Sequence, residues 1–89
     1  MKQTEKPDII RRLKIIQGQV ASVQKMVEED KKCEDILVQI LAIKGAISKV
    51  SKTIIDNHIH YCITDGIKEK KESIIEELDE FSQILSKFI

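Results

Sequence analysis

At 89 residues, with 15 Lys/Arg against 15 Asp/Glu, the chain has room for one domain (1–89) with a thin core, and its net charge points to no partner. One Pro, three Gly, three aromatics and no strict alternation exclude a sheet protein, while Ile, Leu, Lys and Glu favour helices. Two cysteines in a charged sequence do not make a secreted disulfide framework, and no apolar run approaches the ~18–20 residues of a membrane span. The reading is all-α, cytoplasmic and without a membrane partner.

Residues 1–6 form a polar arm. Pro7 and Asp8 suit the first turn of a helix, where a missing N–H is harmless and an acid meets the positive end of the helix dipole. Ile9, Leu13, Ile16, Val20, Val23 and Val27 then recur every three or four residues, which predicts an amphipathic helix ending at the polar run Glu28 to Lys32. Gly18 inside it reads as a point of close packing or contact. A second helix is predicted from Cys33, with Glu34 and Asp35 in its first turn, to about Cys62–Thr64, and Asp65-Gly66 reads as its stop signal. Its Ile36, Ile40, Ile43, Ile47, Val50 and Ile54 follow a four-three pattern, and Leu37, Leu41 and Ile55 widen the apolar surface. Such a helix is central and packs against several neighbours. A third helix carries Ile74, Leu78, Phe81, Leu85 and Phe88.

This is too much apolar surface for a monomer of this size. Three helices per chain, with two copies pairing their first two helices, predict an antiparallel four-helix bundle and helix three outside it.

Charge is unevenly spread. Residues 1–25 carry six Lys/Arg against Glu5 and Asp8, while 63–89 carry four Lys against seven acids. Arg11, Arg12 and Lys14 read either as a solvated face or, repeated across an oligomer, as a phosphate-binding surface. No helix-turn-helix pattern is present.

His58 and Cys62 lie four apart and so stack on one helical face, where an imidazole nitrogen and a thiolate can meet one ion. Cys33 supplies a third donor, and two thiolates with one imidazole suit Cu(I) or Zn(II). At ~1.5 Å per residue Cys33 and His58 stand roughly 37 Å apart on one helix, so they share an ion only between antiparallel chains. The midpoint of that pairing falls near Gly45 to Ser48. His60 points away from this face, and Tyr61 is a packing residue or a neighbour of the ligands. The residues do not by themselves exclude cysteines that are merely core residues, or a copper chaperone or buffer. A Cys/His enzyme acting on a small-molecule substrate would need an orienting group and an oxyanion pocket, and the sequence shows neither.

Arg12-Leu-Lys-Ile-Ile-Gln-Gly18-Gln, Cys33 followed by Gln39-Ile-Leu-Ala-Ile, His58-x-x-x-Cys62 and Ile75-Glu-Glu-Leu78 together resemble the small helical metal- and thiol-responsive repressors, above all the copper-sensing CsoR type. The resemblance covers nearly the whole chain. It implies a homotetramer of antiparallel dimers whose apo form binds double-stranded operator DNA before copper-resistance genes, with Cu(I) as the releasing ligand. It also implies Cu(I) at Cys33 of one chain with His58 and Cys62 of another, and Glu77 coupling that site to helix three. Arg12 and Lys49 match its DNA-facing residues, with Gln39 nearby. This sequence has Lys32 where the family has tyrosine, and Lys49 where an arginine is expected, which keeps charge but loses the fork. A sulfur-sensing branch that uses two cysteines lacks the histidine. His58 argues against that branch, and persulfide sensing through Cys33 and Cys62 stays as the alternative because two thiols in reach can react with each other.

Overall fold

Helix α1, Lys6–Glu28, starts with Pro7 in its first turn and Asp8 beside it, as the sequence predicts. The computed structural model describes residues 5–69 and 72–88, with the backbone alone for 61–63. α1 ends where Asp30 takes a left-handed conformation at φ 55°. Lys31 N–H then reaches back to Met26 O at 3.0 Å and Asp30 N–H to Val27 O at 3.2 Å. This satisfies carbonyls that a helix end would otherwise leave open.

A four-residue connection, 29–32, leads into α2, Cys33–Asn57, which runs back along α1. Ile9 and Ile16 of α1 meet Ile43 and Val50 of α2 in the core, with Val23 and Ala46 at its margin. α1 covers only part of the four-three pattern of α2. Ile43 and Val50 are buried by α1, while Ile40, Ile47 and Ile54 remain 45%, 48% and 36% exposed. One helix of the same chain can cover only one side of such a surface.

The predicted stop at Asp65-Gly66 is not where the helix ends. After Asn57 the backbone passes into a π-helical turn, His58–Ile63, and then into α3, Thr64–Lys68. The Thr64 N–H and its hydroxyl both donate to Ile59 O, the hydroxyl at 2.9 Å. That five-residue bonding widens the turn by about one residue without breaking the rod. Gly66 lies buried inside α3 and has no positive φ, so no left-handed turn ends the helix there. Gly18 also departs from expectation. A Cβ there would meet nothing of this chain within 4 Å.

Helix α4, Ile74–Leu85, folds back beside the π-helical turn. Its Ile74, Leu78, Phe81 and Leu85 are half-buried, as their spacing predicts, while Phe88 lies beyond the helix and is exposed. The described residues form helices without strands, in a slab of 56 × 27 × 15 Å. A thickness so close to the ~10–12 Å of one helix leaves both broad faces uncovered. Among the described residues no helix is long and apolar enough to cross a membrane.

Candidate functional site

Cys33 opens α2 and is exposed, while His58 follows the last residue of the same helix and is half-buried. Twenty-five residues at ~1.5 Å each keep them about 37 Å apart, so a single chain cannot bring them to one ion. Among the described residues no three His, Cys, Asp or Glu side chains converge on a point that could hold a metal. The side chains of Tyr61 and Cys62 lie outside the described residues, and the backbone places both in the π-helical turn with His58. An exposed thiol and an imidazole are donors that fit a soft ion.

Asn57, immediately before this turn, is 4% exposed. Its Nδ2 donates to the Glu5 carboxylate, which ties the start of α1 to the end of α2. His60 is exposed and lines a depression with Glu5, Thr53 and Asp56. Glu77 is half-buried in the first turn of α4, and its Oε1 accepts from the Ser73 hydroxyl at 3.3 Å. One turn on, Phe81 packs its ring against the His58 imidazole.

The basic residues gather on α1. Arg11 Nη2 donates to Asp8 Oδ1 at 2.8 Å, and Arg12 Nε to Asp8 Oδ2 at 2.9 Å. The hydrogen bonds from Arg11 and then Arg12 hold the Asp8 carboxyl below its usual range. Each guanidinium keeps further N–H donors for another anion. Arg11, Arg12, Gln19 and Lys49 line one depression of about 170 Å³ between α1 and α2. Gln19 Oε1 is buried there without a partner among the described residues. Lys14 instead lines a broad open groove with Lys6 and Arg11. Gln39 is exposed on α2, ten residues or about 15 Å along the axis from Lys49, so the protomer does not bring it to the Arg12–Lys49 depression.

Thus Arg12 and Lys49, far apart in sequence, do share a surface. Sequence reasoning missed Asp8 as the residue that pairs both arginines, although its spacing of three and four from them carries that signal. It also passed over Phe81 and Asn57 as neighbours of the site, which no spacing reveals.

The profile described as metal-sensitive transcriptional repressor matches residues 5–87. The chain belongs to that family. Members of this repressor family act by binding DNA rather than by catalysis, and this chain is accordingly a metal-sensing transcriptional repressor. It is 44% identical over 81 residues to the copper-sensing transcriptional repressor CsoR of Bacillus subtilis (strain 168), covering 89% of this chain and 80% of that protein. The copper-sensing transcriptional repressor RicR of Mycobacterium tuberculosis is 32% identical over 85 residues, covering 96% of this chain and 88% of that one. The crystal structure of the copper-sensing repressor CsoR with Cu(I) from Geobacillus thermodenitrificans NG80-2 superposes with a TM-score of 0.89 at 39% identity, over 99% of this chain and 90% of that chain. The nickel-responsive transcriptional regulator InrS shares the fold at a TM-score of 0.75 and 34% identity, over 93% and 91% of the two chains. One repressor fold therefore serves more than one metal, and the donor residues carry the choice.

Proposed function

We propose that this chain is a Cu(I)-responsive repressor whose metal-free form binds operator DNA upstream of copper-resistance genes and whose Cu(I) form lets it go. The observation that carries the reading is the placement of an exposed Cys33 and of His58 at opposite ends of α2, with Ile40, Ile47 and Ile54 open between them. An antiparallel second copy laid on that stripe covers the apolar residues. It also brings Cys33 of one chain to His58 and Cys62 of the other, at both ends. Copper-sensing relatives at 44% and 32% identity favour Cu(I) over nickel, and a Cys/His/Cys donor set suits that soft ion. Bound there, Cu(I) supplies a link between the ends of two helices.

The chain's own residues do the rest. Arg12 and Lys49, with Arg11 beside them, present charge to phosphates from the depression between α1 and α2. Lys14 extends that basic surface along α1, and Gln39 adds a polar contact further along α2. Glu77 ties α4 to the metal-binding turn, whose backbone also carries Tyr61 as a proposed neighbour of the ligands. Pairing of dimers into a tetramer repeats the basic surface along the DNA. Metal and DNA are coupled only if Cu(I) binds two shapes of this assembly differently. The protein works in the cytoplasm, where thiols stay reduced.

The test is an anaerobic Cu(I) titration of the reduced protein against a competing chelator, read together with binding to the DNA upstream of its own operon. One Cu(I) per chain with loss of DNA binding is the expected result. Weak Cu(I) binding, with DNA released by a persulfide donor instead, would overturn it in favour of sulfur sensing through Cys33 and Cys62. Tight Cu(I) binding by a monomer indifferent to DNA would make the chain a copper carrier.

A further inference from the structure

The His58 imidazole and the Phe81 ring meet edge to face, with centroids 4.6 Å apart and planes inclined at 61°. Phe81 projects from α4, whose packing among the described residues is against the π-helical turn that carries His58. An imidazole binds a metal through a lone pair in its ring plane, so the ring's rotation decides whether an ion can be met. That torsion is broad in a free histidine, and an edge-to-face neighbour narrows it. A cavity of about 350 Å³ adjoins the pair, walled by Ile54, Ile55, Ile84 and Phe88. The imidazole therefore has space to turn, and among the described residues Phe81 is the ring in contact with it.

We propose that Phe81 is the positioning residue for His58, and that α4 follows the state of the metal site through this ring contact. The inference rests on the copper reading above. Glu77, one turn earlier on α4, moves with Phe81 because residues four apart share a helix face. When His58 turns towards an ion the ring contact must be kept or remade, so α4 shifts with it.

The experiment uses the full chain with Phe81→Leu, which keeps apolar bulk but removes the ring, and Phe81→Tyr, which restores the ring. In the reduced, metal-free protein the His58 ring resonances are expected to shift in Phe81→Leu and to stay near the parent position in Phe81→Tyr. Cu(I) affinity is expected to change by less than about threefold, while the Cu(I)-induced loss of DNA affinity shrinks by about two- to tenfold, the worth of an aromatic pair. A general loss of structure would not produce that split. Should Phe81→Leu lose helicity by circular dichroism, Phe81→Met replaces it with the same expectations. Unmoved His58 resonances, or an undiminished Cu(I) response, would overturn the role of Phe81. A parent protein whose DNA affinity ignores Cu(I) refutes the functional reading itself, and that is seen before any variant is read.

Discussion

Replacing Ile40 and Ile47 together by Asp separates a stripe that belongs to an oligomer from one that merely decorates a monomer. Both side chains face away from α1 and are 45% and 48% exposed in the protomer. Full burial of an isoleucine is worth about 1.5–3 kcal/mol, so the remaining half is worth about 0.7–1.5 kcal/mol each. A two-fold interface uses each residue twice, which makes the loss about 3–6 kcal/mol per dimer, or roughly two to four orders of magnitude in the dissociation constant. Carboxylates trapped at the interface add to this. Within a lone protomer the same changes remove the half of each side chain that is already buried there, about 0.7–1.5 kcal/mol per site. Sedimentation velocity over a range of concentrations reads the assembly, and thermal unfolding of the dissociated chain reads the protomer. An assembly that sediments like the parent would show that the stripe does not face a second copy. The antiparallel placement of Cys33 against His58 and Cys62 would fall with it.

Other consequences concern DNA binding and helix ends. Arg12→Ala and Lys49→Ala should each weaken operator binding and lower the salt slope by about 0.9 for each phosphate left without its cation, measured by fluorescence anisotropy in graded salt. An unchanged slope would remove that residue from the phosphate surface. Asp8→Asn should lower helix stability at about pH 6. Hydrogen bonds from Arg11 and Arg12 depress the Asp8 carboxyl, so its contribution is present above the ordinary aspartate range and lost as pH falls through the depressed value. Parent and variant melting curves should therefore draw together only as pH falls from the ordinary aspartate range through the depressed value, and a gap that widens in acid would refute this. Asp30→Gly should raise stability by about 1 kcal/mol in chemical denaturation, because Asp30 holds a left-handed φ of 55° that glycine adopts without cost.

Much of the protein is legible in its sequence, because local rules act on neighbours along the chain. Pro7 and Asp8 open α1, the three-and-four spacing of its apolar residues sets the face that Ile9 and Ile16 bury, and Ile74 to Leu85 mark α4. The proposed donors Cys33, His58 and Cys62 stand out by residue type, and Cys33 and His58 lie too far apart on one rod to share an ion within one chain. What periodicity records is which side of a helix is apolar, not what covers it. Only the packing of α1 on α2 divides the stripe into Ile43 and Val50, which are buried, and Ile40, Ile47 and Ile54, which are left open. Only the folded backbone shows that the helix passes through Asp65-Gly66, since a glycine stops a helix by taking a positive φ and Gly66 does not. The π-helical turn, the Asn57–Glu5 hydrogen bond and the ring of Phe81 on His58 depend on residues brought together from distant parts of the chain or on a carbonyl five residues back. No spacing rule reaches those contacts, because they are set by how three helices lie against one another.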